Sequence, residues 1–291
     1  MRSVITEQTG PGAMSTVRRR DAVPARVVAV LLVASSAYGF AADRPYRGLT
    51  ASTVTAARAQ DVCSIVVAVL LLALAAHGSG VAHLTRLGLY GYAAYSYVLY
   101  LVGMPMNRAF LVYVALVAVA GFGLVDGIAR LEVQAFRRVG RPLERGTGWL
   151  LVVVAVGFAA LWLTMLVPFA LGGGPPDSQG PGGSAFPVFV LDLCVVLPCL
   201  FLVGRLLLRG SPAGGPLAVV ALVKIVTLFT VLWIGVVAAI VRGDHVQPGP
   251  DAGPSTVMVA LCCWLLGRWV ADLDQVRRAT RDVVWPSEQD G

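Results

Sequence analysis

PLAVVALVKIVTLFTVLWIGVVAAIV, residues 216–241, carries a single charge, Lys224, in an otherwise uninterrupted apolar run. About 20 such residues, rising 1.5 Å each, cross the roughly 30 Å hydrocarbon core of a bilayer as a helix. In hydrocarbon each backbone amide must be satisfied within its own segment, which predicts a helix here; a barrel would need short alternating strands. The rest of the chain agrees: 57% of residues are hydrophobic, 13% are charged and mean hydropathy is +0.77, more apolar surface than a water-soluble domain can bury.

Seven further runs read the same way: 25–42, 61–77, 84–104, 109–128, 149–171, 186–208 and 255–273. The predicted fold class is an all-α polytopic transmembrane helix bundle of eight spans over residues 25–273. A basic, disordered N-terminal tail (1–24) and a juxtamembrane tail (274–291) flank it. The Gly-, Pro- and Arg-rich stretches between runs, notably 172–187, read as loops rather than a soluble domain.

Lys224 is the only lysine; the other basic residues are arginines, and their placement sets the topology. With the N-terminus inside, Arg2, Arg18, Arg19, Arg20, Arg26, Arg86, Arg130, Arg137, Arg138, Arg141, Arg145, Arg205, Arg209, Arg268, Arg277, Arg278 and Arg281 are cytoplasmic. Only Arg44, Arg47, Arg58, Arg108 and Arg242 fall outside. The positive-inside rule then puts both termini in the cytoplasm. This also accounts for the net charge of +7 without nucleic acid as a partner. Arg18-Arg19-Arg20 followed by an apolar stretch ending Gly39-Phe40-Ala41 resembles a secretory signal as well, and Met14 is an alternative start.

Cys63, Cys194, Cys199, Cys262 and Cys263 all fall inside predicted helices and read as small apolar packing residues. His77 and His83 flank a turn without partners at ligand spacing, so no metal and no cofactor is predicted.

Polar groups at membrane depth carry the functional reading, because a charge in hydrocarbon costs about 2.5–3.5 kcal/mol on insertion scales. Lys224, eight residues past Pro216, sits about 12 Å from the inner edge. Asp126 lies near that level, one turn before Arg130, so it can pair with Arg130, with Lys224 or with both, and depth matching favours it as the acidic partner of Lys224. Asp192, about 9 Å from the outer edge, leans away from Lys224, which argues against a direct pair. Pro198 predicts a kink beside it by removing an amide donor and freeing the carbonyl of Cys194.

The third run carries five tyrosines. At 100° per residue Tyr90, Tyr97 and Tyr100 share one face, with Tyr92 and Tyr95 opposite. Depth then groups Tyr97, Tyr100, Asn107, Tyr113 and Asp192 as an outward-facing polar pocket, with Asp126, Arg130 and Lys224 as an inner gate. Gly123 and Gly127 form a G-x-x-x-G pair suited to close helix approach. In the C-terminal tail Val276, Val283, Val284 and Trp285 interleave with Arg277, Arg278 and Arg281, a pattern for the inner leaflet or for a solvated tail.

YGYAAYSYVLYLVGMPMNRAFLVYVALVAVAGFGLV together with LDLCVVLPCLFLVGRLLLRGSPAGGPLAVVALVKIV resembles a family of uncharacterised bacterial, actinobacterial-type multi-pass integral membrane proteins. The resemblance covers the third, fourth, sixth and seventh runs; it implies an integral plasma-membrane protein and transfers no catalytic residue. Two functions fit these residues. One is a transporter or ligand-binding membrane protein taking a small molecule or ion between lipid-embedded helices; the other is a non-catalytic scaffold or complex subunit whose buried charges are structural. An intramembrane enzyme ranks below both, for want of paired carboxylates or a nucleophile with its base. Oligomeric state is not legible.

Overall fold

The computed structural model describes residues 11–41, 46, 49–133, 136, 139–176, 186–241 and 252–283. Arg2, Arg44, Arg47, Arg137, Arg138, Arg242, the centre of the 172–187 loop and the tail from residue 284 lie outside them. So do the side chains of Arg18, Arg19, Arg20, Val276, Arg277, Arg278 and Arg281.

All regular structure among the described residues is helical: α1 (Pro11–Ala41), α2 (Ala51–Ala75), α3 (Gly80–Gly103), α4 (Phe110–Ala129), α5 (Arg141–Ala170), α6 (Pro187–Leu208), α7 (Gly214–Val241) and α8 (Ala252–Val283). All of these except α3 contain a stretch long and apolar enough to cross a bilayer. Leu111, Phe122, Val125, Val153 and Val156 point outward from α4 and α5, an apolar surface for which lipid is the matching solvent.

The exception is the centre of the molecule. α3 is diluted by tyrosines, Arg86 and His83, yet 13 of its 24 residues are buried, and it packs against α2, α4, α6, α7 and α8. Its polar side chains face protein. α7 is the second hub, touching α2, α3, α5, α6 and α8. α5 pairs mainly with α6, where Gly148 meets Gly204 so closely that a Cβ on Gly204 would lie 2.8 Å from the Gly148 carbonyl oxygen. Small residues that let backbones approach are the usual means of packing helices in lipid.

α2 departs most from expectation. The apolar run begins at Asp61, but the helix starts at Ala51, where the Thr50 side chain accepts a hydrogen bond from the Thr53 amide. Such an N-cap satisfies a first-turn donor and lets the polar segment 51–60 continue the rod. Asp61 is thereby moved from a helix start to its interior, 1% exposed.

Arg86, one of the topology-setting arginines, has a second role. It is 5% exposed and its Nη1 donates to the carbonyls of Leu74 (2.9 Å) and His77 (3.3 Å), satisfying the C-terminal end of α2. Among the cysteines, Cys63 and Cys262 are buried; Cys194, Cys199 and Cys263 lie on the outer surface instead, since their helices turn those faces away from the bundle.

Candidate functional site

Two groups of polar side chains lie on opposite sides of α3. On the side toward α5, α6 and α7, the Tyr95 hydroxyl donates to Asp192 Oδ1 at 3.0 Å and the Trp162 indole N–H donates to Asp192 Oδ2 at 3.1 Å. Asp192 is 9% exposed, and each of its oxygens has a donor. Trp162 is held edge-on against Phe189, with ring centroids 5.1 Å apart, and beside Phe158.

The Lys224 ammonium stands 4.1 Å from the centroid of the Tyr95 ring, a cation–π distance, with its stem laid over Gly91. Among the described residues no carboxylate comes within ion-pair distance of it; Asp192 is the acid whose charge reaches it. One tyrosine therefore separates the two opposite charges: its hydroxyl serves the acid and its ring face serves the cation.

Local chain geometry aims Asp192. α6 widens into a π-turn over Asp192–Val196, where the Leu197 amide donates five residues back to the Asp192 carbonyl. Pro198 follows directly. It supplies no amide and its ring crowds the carbonyl four residues earlier, so the extra residue of a π-turn relieves a conflict that an α-helix cannot. The break predicted at Pro198 is present, taken up as a bulge that begins at the carboxylate.

On the side toward α1, α2 and α4 the polar groups interlock. The Tyr46 hydroxyl donates to Asp61 Oδ2. Tyr100 donates to the Ala57 carbonyl (3.0 Å), Tyr97 to Ser64 Oγ (3.2 Å), and Gln60 Nε2 to both the Tyr92 hydroxyl (2.5 Å) and Ser64 Oγ (3.3 Å). Tyr97, Tyr100 and Tyr113 stack as a three-ring cluster with centroids 5.2–5.7 Å apart. Asp61 Oδ1 and the hydroxyls of Ser35 and Ser36 on α1 are buried here without a hydrogen-bond partner. Tyr46 lies beyond the end of the span, 6% exposed; burial first, and then the Asp61 charge, push its phenol pKa up.

The grouping predicted from depth is thus divided. Tyr97, Tyr100 and Tyr113 do come together, but against α2, whereas Asp192 is across α3 with Tyr95. Depth alone carries no information about azimuth, and Tyr95, assigned to the opposite face, is the tyrosine that points at α6. Tyr92 also departs from its assigned face, because its phenol reaches Gln60 alongside Tyr97. Asn107 shapes the turn before α4, its Oδ1 accepting from the Ala109 amide (2.9 Å) and its Nδ2 donating to the Pro105 carbonyl (3.2 Å), and its side chain lies beside the Tyr113 hydroxyl.

Asp126 is not the partner of Lys224. It forms an ion pair with Arg130 one turn on (2.7 Å), with the two side chains 59% and 65% exposed on the outer surface of α4. Helix rotation turns it away from α7.

The sequence reading passed over Asp61, Tyr46, Gln60 and Trp162. Trp162 stands in a continuous apolar run with no signal of its role; Asp61 had one in the Thr50 cap. No cluster of three metal-ligating side chains occurs among the described residues. No family model, curated protein or solved structure matches this chain.

Proposed function

We propose that this chain is an integral plasma-membrane protein of eight spans, α3 being the eighth, with both termini cytoplasmic, that binds and passes a small polar solute or ion. The arginine asymmetry supports the orientation. The 24-residue length of α3, about 36 Å at 1.5 Å per residue, supports the span count.

The observation that carries the functional reading is the Lys224 ammonium. It lies ten residues into α7, about 15 Å along its axis, over an aromatic face and with no carboxylate in ion-pair contact among the described residues. An ammonium has three N–H donors, and a ring face satisfies only part of that demand. A bound solute with an acceptor or anionic group completes it, while Asp192, held by Tyr95 and Trp162, supplies the opposite charge nearby. The π-turn beside Asp192 is the kind of helix irregularity that lines cavities in transporters. The site is therefore Asp192, Tyr95, Trp162 and Lys224, with Tyr97, Tyr100 and Tyr113 as its structural backing.

The test is reconstitution of the purified protein, identification of co-purifying solutes by mass spectrometry, and uptake and binding assays on Asp192→Asn, Lys224→Met and Tyr95→Phe. Loss of binding in all three, with normal folding, is expected. Unaltered uptake and binding in Asp192→Asn and Lys224→Met would leave the scaffold reading, in which the same charges only fix how helices pack.

A further inference from the structure

The geometry points to a binding site for a phospholipid with a primary-amine headgroup in the groove between α1, α3 and α4 at the arginine-rich end of the bundle. The groove has a volume of about 350 Å³ and is lined from α1 by Pro24, from α3 by His83, Arg86, Leu87 and Tyr90, and from α4 and its C-cap by Gly123, Asp126, Gly127 and Arg130. It is distinct from the Asp192 site and independent of its function.

The lining changes character with depth. Pro24, His83, Asp126 and Arg130 all lie within about one turn of a span or helix end, at headgroup level. Tyr90 is ten residues into α3, about 15 Å down, and Gly123 is six residues above the end of α4, about 9 Å down. Charge at the rim and an aromatic and aliphatic floor match an amphiphile standing along the membrane normal. The two glycines shape that floor: a Cβ on Gly123 would lie 3.3 Å from the Tyr90 ring, and one on Gly127 would run into Leu87.

The rim also presents one donor and one acceptor that the Asp126–Arg130 pair leaves open. Arg130 contacts Asp126 through Nε and Nη2, both to the one oxygen Oδ1. Arg130 Nη1 and Asp126 Oδ2 therefore have no partner among the described residues. A guanidinium donor beside a carboxylate acceptor suits a phosphodiester joined by two carbons to an ammonium: phosphate to Arg130 and ammonium to Asp126. A trimethylated headgroup has no N–H to give Asp126, so the carboxylate supplies the selectivity.

The test is native mass spectrometry of the delipidated, detergent-solubilised full chain, titrated with phosphatidylethanolamine, phosphatidylcholine and free O-phosphoethanolamine. Wild type is expected to retain phosphatidylethanolamine over phosphatidylcholine by about fivefold or more. Asp126→Asn should erase that preference while keeping binding, and Arg130→Gln should weaken both lipids. These two residues are surface-exposed, so folding is not at stake. Equal retention of the two lipids by wild type, an undiminished preference in Asp126→Asn, or unchanged binding in Arg130→Gln would overturn the proposal. So would displacement by free O-phosphoethanolamine at the lipid's own concentration, which would assign the groove to a soluble phosphate ester.

Discussion

Toward α2, the α3 tyrosines end in a packed network: Tyr100 donates to a backbone carbonyl and Tyr97 to Ser64, while Tyr92 accepts from the Gln60 amide. Toward α6 and α7 only Tyr95 reaches out, with an acid on its hydroxyl and the chain's one lysine on its ring. Both sides hold a carboxyl bonded by a tyrosine, but their settings differ. Asp61 is 1% exposed and closely covered by the α1 backbone at Gly39. Asp192 lies beside a half-buried cation with which it makes no contact pair. Opposite charges kept apart by a ring keep their electrostatic cost, and such cost persists in proteins mainly where function uses it.

The largest test of that contrast is at the sealed side. A Cβ on Gly39 would land on Asp61 Oδ2 and the Tyr46 hydroxyl, so Gly39→Val must push α1 away from α2. A loss of about 1–3 kcal/mol is expected, read as a lower unfolding midpoint in detergent. Gly157→Val on α5, where nothing lies within 4 Å, is the control and should cost little. Equal costs at both positions would show that the α1–α2 seam yields and that the side toward α2 is not rigid.

The open side predicts the opposite sign. Lys224→Met keeps the length of the stem and its contact with Gly91 while removing an ammonium that no carboxylate among the described residues pairs. Stability of the ligand-free protein should rise by about 1–2 kcal/mol, because an intramembrane cation is costly and methionine is not. A lower midpoint would mean that the cation–π contact with Tyr95 and the field of Asp192 outweigh that cost, which would make Lys224 a structural clamp.

How much of this was legible follows the same division. The helices were readable because the bilayer imposes length and apolarity on each: the run 216–241 lies inside α7, and 186–208 nearly coincides with α6. α3 was readable as a rod from its length, and its tyrosines marked it as polar. Azimuth was not readable. Tyr95 and Tyr97 differ by two residues and about 200° of rotation, so which one meets Asp192 depends on where α6 stands, a tertiary fact. Asp126 failed for that reason: its depth suited Lys224, but its direction is outward. Asp61 failed differently, since counting from the first apolar residue ignores a capped polar turn that packs against protein rather than lipid.

The smallest effect expected is a pH dependence at the sealed side. Tyr46 is pushed above its usual phenol pKa by burial and by Asp61, so the folded protein holds this proton more tightly than the unfolded chain does. The stability it contributes is complete below the unfolded value near 10 and is lost as pH rises through the folded value. Relative to Tyr46→Phe, the native protein should therefore lose about 1 kcal/mol between pH 9 and pH 11. Unfolding midpoints of both proteins across that range provide the measurement. Parallel curves would mean that the Tyr46 hydroxyl is reached by water and that Asp61 is less sealed than its 1% exposure indicates. Asp61 would then stand beside Asp192 as a second accessible acid.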